Sequence, residues 1–193
     1  MRPQALPGTG RRRLRVTTTI RGVVITGTIG AGKTTSAEAL SELMHARRVR
    51  HALIEVDWLG QVYPADAGDV PPYNFDLSMA NLAAIWPNFV AKGIRYAIVT
   101  MTLENQQQLD ALRVAMPGCD LTVALATASP TTIATRITAR DHGRLRDDFL
   151  TRTEALAATI EQAGLHSLTF STDDRPRDEM AKDLCERLGW LDD

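Results

Sequence analysis

Residues 27–34 read Gly27-Thr28-Ile29-Gly30-Ala31-Gly32-Lys33-Thr34, which fits the phosphate-binding pattern G-x-x-x-x-G-K-[ST] at every defined position. The glycines let the backbone turn closely enough for successive N–H groups to point at phosphate oxygens. Lys33 supplies a positive charge for the outer phosphates, and the Thr34 hydroxyl is a ligand for Mg²⁺. The motif therefore predicts a nucleotide site over residues 27–34, extended to the adjoining Thr35, with Thr34 as the metal ligand.

The sequence on both sides of this loop predicts a strand before it and a helix after it. Residues 23–26 read Val-Val-Ile-Thr, a β-branched run typical of a buried strand. From Lys33 to about Arg47 the apolar residues recur at helical spacing. This order places bound phosphates at a helix N-terminus, where the helix dipole favours anions.

The composition is that of one globular domain. The 193 residues are 44% hydrophobic and 23% charged, which is ordinary for a chain with a sizeable core. The formal net charge is −1, but the first fifteen residues hold five arginines and no acidic residue, so the remainder carries −6. An acidic body argues against a broad nucleic-acid-binding surface.

Residues 1–20 are predicted to form a disordered basic leader, because they contain Pro, Gly and Arg and few side chains to bury. The alternative is an arm that contacts nucleic acid or a membrane surface. No apolar run approaches the roughly 20 residues that span a bilayer, so no membrane insertion is expected. Cys119 and Cys185 lack metal-type spacing, which predicts reduced thiols in a cytoplasmic protein. The oligomeric state stays open.

Strands alternate with helices along residues 21–193, which predicts one α/β domain with a parallel sheet and helices on both faces. Five strands are expected at about 23–26, 52–56, 96–101, 121–125 and 165–170. Helices are expected at about 33–47, 77–92, 104–115, 130–141, 146–162 and 176–188. Pro87 is predicted to kink or divide the second of these helices.

Asp57 is the first candidate for chemistry outside the loop. It is predicted to end the second strand, 24 residues after Lys33. Ligands in open parallel sheets lie beyond the carboxyl ends of the strands, so Asp57 is expected to face the same site as the loop. There it can orient a substrate hydroxyl and accept its proton, or hold a water on Mg²⁺. A cap on the following turn is the structural alternative.

Four arginines follow the fourth strand: Arg136, Arg140, Arg144 and Arg146. Arg136 and Arg140 lie four residues apart on one helix face, and Arg144 and Arg146 follow Gly143, in the predicted break between two helices. This suits a short lid that brings positive charge to the transferring phosphate. A solvated surface with local salt bridges is the alternative.

Aromatic residues gather in the segment that follows Asp57. Four of the ten aromatic side chains lie within residues 58–75: Trp58, Tyr63, Tyr73 and Phe75. An apolar wall beside a carboxylate is typical of a small-molecule pocket. Core packing is the alternative, and it weighs most for Trp58.

The loop, the run Val56-Asp57-Trp58-Leu59 and the pair Arg136/Arg140 together resemble the P-loop kinases of small metabolites, over about residues 21–190. This group includes adenylylsulfate, gluconate and shikimate kinases and chloramphenicol phosphotransferase. The resemblance implies a three-layer P-loop NTPase fold with a short lid. It also implies that Asp57 contacts or deprotonates the acceptor hydroxyl.

The same resemblance places Arg136 on the adenine and Arg140 near the phosphates, and it puts Thr172-Asp173-Asp174 beside the adenine, with Asp173 chosen as the contact. One departure concerns the third strand, which ends Thr100-Met101-Thr102 without the carboxylate that often stands there for the metal. Glu104 is a weak substitute. No motif identifies one acceptor.

The leading hypothesis is an ATP-dependent kinase of a small hydroxylated molecule, with ATP and Mg²⁺ as cofactors. Lys33 and Arg140 would stabilise phosphate charge, and Asp57 would act as base. A kinase of nucleic-acid ends or of tRNA, and a regulatory nucleotide-binding NTPase, remain alternatives at this point.

Overall fold

Five parallel strands and six α-helices alternate along the residues that a computed structural model describes, 19–63 and 73–190. The strands are β1 (Ile20–Thr26), β2 (His51–Glu55), β3 (Tyr96–Thr100), β4 (Cys119–Thr127) and β5 (Leu168–Ser171). The helices are α1 (Lys33–Ala46), α2 (Phe75–Ala91), α3 (Gln106–Ala115), α4 (Pro130–Arg140), α5 (Gly143–Ala163) and α6 (Arg177–Arg187). The predicted leader lies, except for its last two residues, outside the described ranges.

The sheet has the order β2-β3-β1-β4-β5, and every neighbouring pair is parallel. β1 is central, with Val24 in register with Val99 of β3 and Val123 of β4. The loop that leaves β1 therefore emerges between two parallel neighbours. In an open α/β sheet this is the point at which ligands bind.

Alternate residues of β1 enter two separate cores, one on each face of the sheet. Val23 and Ile25 pack with α1 and α6, whereas Val24 packs with α2 and α3. A strand buried on both faces reads as an unbroken apolar run, because neither face can be polar. The predicted three-layer α/β fold is confirmed.

The α4–α5 pair carries a third, smaller core. Ile133 and Ile137 of α4 are buried against Phe149 of α5, and Ile29 of the 27–34 loop packs on the same cluster. Ser129 caps α4 by accepting a hydrogen bond from the Thr132 backbone N–H, as the Ser-Pro signal predicts. This pair is the predicted lid, and it contacts the loop directly.

Three local predictions were wrong. β2 ends at Glu55, and Asp57 lies in a 3₁₀ helix, Val56–Gly60, which turns the chain at the sheet edge. Pro87 does not divide α2, which continues as one helix because burial of the face that includes Leu82 and Trp86 offsets the one hydrogen bond that proline removes. α5 begins at Gly143, so Arg144 and Arg146 lie in its first turn and not in a break between helices.

Candidate active site

The loop after β1 has the backbone conformation of a phosphate cradle. Gly30 and Gly32 have φ of 79° and 90°, the left-handed region that glycine adopts without strain. A Cβ on Gly32 would lie 3.2 Å from the Thr172 side chain, so there is little room for any other residue. The Thr28 hydroxyl is buried and has no hydrogen-bond partner within the described residues. Lys33 Nζ donates to the carbonyl oxygens of Gly27, at 2.9 Å, and Thr28, at 3.0 Å.

Thr34, the predicted metal ligand, donates a hydrogen bond from its hydroxyl to the Glu55 carboxylate. Glu55 is the last residue of β2 and was not among the residues predicted from the sequence. The available signal was its spacing: Glu55 and Asp57 stand two residues apart where β2 meets the sheet edge. The carboxylate absent from the end of β3 therefore has a counterpart on the neighbouring strand.

This pair of oxygen ligands fits Mg²⁺. Mg²⁺ prefers hard oxygen donors and is usually held by one or two protein groups together with substrate phosphates. Among residues 19–63 and 73–190, no three His, Cys, Asp or Glu side chains form a group that could hold a metal by themselves. Thr34 and Glu55 are thus the residues that could bind a metal carried by the nucleotide.

Asp57 and Lys33 act on each other electrostatically. Burial raises the pKa of Asp57 above its usual value; the positive charge of Lys33 lowers it, and the negative charge of Glu55 raises it further. Burial likewise lowers the pKa of Lys33, opposed by Asp57 and reinforced by the positive charge of Arg140. The structure therefore brings together Lys33, Asp57, Glu55 and Arg140, three of them selected from the sequence.

Arg136 and Arg140 have different surroundings although they share a helix face. The Arg140 guanidinium pairs with the Asp141 carboxylate at 2.8 Å, lies 6.0 Å from the Phe149 ring centroid and is 61% exposed. Arg136 is partly buried, and its guanidinium donates to the Gly30 carbonyl at 3.2 Å. Arg136 is thus held against the loop, whereas Arg140 extends from the lid into solvent.

Thr172, directly after β5, joins the lid, the loop and the sheet. Its hydroxyl accepts a hydrogen bond from Arg136 Nη1 at 2.8 Å and donates to the Ala31 carbonyl at 2.9 Å. Its carbonyl accepts from Arg136 Nη2 at 2.8 Å, and its N–H donates to the Thr127 carbonyl at 2.8 Å. The plane of the Arg136 guanidinium is fixed by these contacts.

The next residue, Asp173, connects the loop after β5 to the start of the lid. One carboxylate oxygen of Asp173 accepts a hydrogen bond from the Ser129 N–H at 2.7 Å. Hydrogen bonding from Thr132 is the main cause that lowers the pKa of Asp173. The structure therefore brings Asp173 within reach of the α4 N-terminus and, through Thr172, of the loop.

Three aromatic side chains, Trp58, Tyr63 and Tyr73, belong to the described parts of the segment that follows Asp57. Trp58 is 70% exposed and Tyr63 73% exposed, so neither fills the core. The Tyr73 hydroxyl is buried without a hydrogen-bond partner among the described residues, and burial raises its pKa, with a further rise from the negative charges of Asp57 and Glu104. Residues 64–72 of the predicted pocket segment lie outside the described ranges.

The two described ends of that segment are joined. Gln61 and Tyr73 form an antiparallel bridge, and the Asn74 N–H donates to the Gly60 carbonyl at 2.9 Å. A Cβ on Gly60 would lie 2.1 Å from Ser78 Oγ and 2.4 Å from the Asn74 carbonyl oxygen, so this contact requires glycine. Tyr73 is thereby held beside the 3₁₀ helix that carries Asp57.

No family model and no curated protein matches the chain. Solved structures do. A sugar kinase from Janibacter sp. HTCC2649 is 19% identical with a TM-score of 0.59, covering 89% of this chain and 96% of that one. The tunicamycin resistance protein of Deinococcus radiodurans is 16% identical with a TM-score of 0.62, covering 88% and 96%. A gluconokinase from Sinorhizobium meliloti 1021 is 18% identical with a TM-score of 0.57, covering 90% and 94%.

These similarities extend over nearly the whole of each chain at low identity, so they describe the fold. The chain has the fold of the P-loop small-molecule kinases, as the resemblance in the sequence implies. Within the described ranges, no helix is both long enough and apolar enough to cross a membrane.

Proposed function

We propose that residues 21–193 form an ATP-dependent phosphotransferase, which moves the γ-phosphate of ATP to a hydroxyl group of a small molecule. The observation that carries this proposal is the proximity of Lys33, in the phosphate loop, to Asp57, at the opening beyond β2. Each of the two charges acts on the pKa of the other group, so a phosphate-binding amine and a buried carboxylate lie within electrostatic reach of each other. Similarity to a sugar kinase and a gluconokinase supports a small-molecule acceptor.

On the donor side, the backbone of residues 27–35 would hold the phosphates at the α1 N-terminus. Arg136 would lie on the adenine face, because the Thr172 contacts fix the plane of its guanidinium and a planar guanidinium stacks well on an aromatic ring. Asp173 would border the adenine. Arg140 would approach the transferring phosphate when the lid closes.

Thr34 and Glu55 would hold Mg²⁺, Thr34 through its hydroxyl and Glu55 through its carboxylate. When bound with the nucleotide, Mg²⁺ neutralises phosphate charge. The Thr34–Glu55 contact orients both groups before any ligand is present.

Phosphate transfer requires that ATP and the acceptor be positioned and that one group accept the hydroxyl proton. The acceptor oxygen forms a bond to the γ-phosphorus while the bond from that phosphorus to the β–γ bridging oxygen breaks, and ADP leaves with the electron pair. The hydroxyl proton passes to the Asp57 carboxylate. Burial raises the pKa of Asp57, which makes this carboxylate a stronger base than an exposed one.

Cytoplasmic location is part of the proposal. Both cysteines are free thiols, Cys185 is buried, and burial raises the pKa of Cys119 to about 12. Neither is reactive as a thiolate at neutral pH, as expected for packing residues in a reducing compartment.

The experiment is a screen for ADP release against hydroxyl-bearing metabolites and antibiotics, followed by Asp57→Asn with the best acceptor. Asp57→Asn should bind ATP within about threefold of the parent and lose about a hundredfold or more in kcat, because only the proton acceptor is removed. Asp110→Asn, at an exposed carboxylate on α3, is the matched control. Undiminished transfer by Asp57→Asn would refute the base role; absence of any acceptor would refute the kinase.

A further inference from the structure

The charge of the acceptor side differs from that of the donor side. Residues 51–91, which run from β2 through α2, contain no lysine or arginine and five acidic residues: Glu55, Asp57, Asp66, Asp69 and Asp76. Residues 96–112, from β3 through most of α3, also lack lysine and arginine and contain Glu104 and Asp110. β2 and β3 lie on the same side of β1 in the sheet, and the described parts of these stretches, 51–63, 73–91 and 96–112, form those strands and the chain that follows them.

The fold brings part of this charge to one place. Tyr73 pairs with Gln61, four residues beyond Asp57, and the negative charges of Asp57 and Glu104 both raise the pKa of its hydroxyl. Glu104 reaches this position because the segment after β3 is tied to the loop. The Leu103 N–H donates to Thr26 Oγ1 at 2.9 Å, and Thr102 Oγ1 donates to the Gly27 carbonyl at 3.3 Å. Two carboxylates and one buried phenol thus surround the acceptor side.

The positively charged side chains of the site lie on the donor side, among the residues proposed to bind ATP. Lys33 is bonded to the loop carbonyls, and Arg136 is held by Thr172 and Gly30. Arg140 extends from the lid and pairs with Asp141. In the proposed reaction Lys33 and Arg140 bind the phosphates of ATP, and Arg136 lies on the adenine. None of the three is assigned to a carboxylate or phosphate group carried by the acceptor.

Two exposed aromatic rings add a second, independent observation. Trp58 and Tyr63 are 70% and 73% exposed, although the chain has only ten aromatic residues. Trp58 follows Asp57 directly in the 3₁₀ helix. Large exposed rings beside carboxylates are the combination that recognises organic cations, because the ring face attracts positive charge.

We infer that the phosphate acceptor is a hydroxylated organic cation, an amine-bearing polyol of the amino-sugar or aminocyclitol class. This inference rests on the proposed kinase function and specifies its substrate. The ammonium group is held by Glu104 and the exposed rings, and a hydroxyl of the same molecule is presented to Asp57. An acceptor that carries a carboxylate or phosphate meets repulsion from the same groups.

The test uses acceptors in matched sets that differ only in charge. Each scaffold, such as a hexose, a cyclitol, a nucleoside or an antibiotic, is offered as an amine, as the N-acetyl derivative of that amine, and as a carboxylate; glucosamine, N-acetylglucosamine and glucuronate form one such set. The amine should exceed its N-acetyl form in kcat/KM by about fivefold and the carboxylate by more, the scale of one exposed ion pair.

The outcomes separate the two proposals. If a neutral or carboxylate member is phosphorylated as well as its amine, the charge inference is overturned and the kinase function stands. If no member of any set is phosphorylated while ATP still binds, the kinase function itself is contradicted, and the inference falls with it.

A variant tests the residue that the inference adds. Glu104→Gln keeps the size of the side chain and removes its charge, so the ratio of kcat/KM for the amine to that for its N-acetyl form should fall about fivefold. Glu161→Gln, at an exposed carboxylate on α5, is the matched control and should leave the ratio unchanged. An unchanged ratio in Glu104→Gln would show that this carboxylate does not contribute to the selection of acceptors by their charge.

Discussion

Thr172→Val removes one hydroxyl and preserves the shape of the side chain, so it isolates the contact between lid and loop. The hydroxyl accepts from the charged Arg136 at 2.8 Å and donates to the Ala31 carbonyl at 2.9 Å. Valine can make neither bond. Arg136 keeps its bonds to the Thr172 and Gly30 carbonyls, so the arginine stays near the loop but loses one of its three fixed contacts.

The expected cost follows from these two bonds. A hydrogen bond from a charged donor contributes about 1.5–3 kcal/mol and a neutral one about 1 kcal/mol, and the site is only partly buried, which favours the lower end. We expect the free energy of unfolding to fall by about 2 kcal/mol. For a chain of this size that lowers Tm by roughly 4–8 °C.

Thermal unfolding followed by circular dichroism measures this loss, and ATP titration measures its effect on the nucleotide site. Thr172→Ser retains the hydroxyl and should recover most of the stability, apart from about 1 kcal/mol for the lost methyl group. Thr135→Val is the matched control, because the Thr135 hydroxyl bonds only to the Thr131 carbonyl within α4 and is exposed. A Thr172→Val protein that melts within 1–2 °C (about 0.5 kcal/mol) of the parent would refute the reasoning.

Gly27→Ala should lower the free energy of unfolding by about 2 kcal/mol or more, because the φ of Gly27 is +150° and a Cβ there would lie 2.5 Å from the Ala126 carbonyl oxygen. Gly118→Ala is the control: its φ is +80° with open space around the Cβ, so it should cost only about 1 kcal/mol. Equal losses for the two variants in urea unfolding would contradict this prediction. Burial raises the pKa of Asp57, so folding favours the protonated carboxyl. The stability that this group contributes is therefore present below the ordinary aspartate pKa and is lost as the pH rises through the raised pKa of the folded protein. Asp57→Asn should therefore be more stable than the parent at pH 8 and lose this advantage below the ordinary aspartate pKa; unfolding curves at the two pH values test the sign.

The sequence predicts the layers of the fold because their signals are local. The run 23–26 is apolar on both faces, and the helix after it has a regular apolar spacing. Gly164 closes α5 in the left-handed conformation that the sequence signal predicts. Errors fall where tertiary burial competes with a local rule, as at Pro87, whose neighbour Trp86 is buried and donates to the Pro117 carbonyl.

The residues of the predicted site also fall into two groups: those that local sequence locates and those that only the tertiary structure locates. Residues 27–34 could be located from spacing alone, because one continuous segment supplies the whole cradle. Glu55 could not, because its contact with Thr34 depends on where β2 ends relative to the loop. Thr172 was named only as a neighbour of the adenine, and its bonds to Arg136 and Ala31 depend on how β5 and α4 pack.

The sequence by itself determined the phosphate loop, the alternation of strands and helices, and the surplus of acidic over basic residues after β2. Each of these features is formed by contiguous residues, so each can be recognised from the sequence without knowledge of its neighbours in space. The tertiary structure decided which distant groups share the site. It placed Asp57 beside Lys33, Glu55 beside Thr34 and Glu104 near Tyr73. These neighbours are brought together by the parallel register of β1, β2 and β3, which ends all three strands at one edge of the sheet.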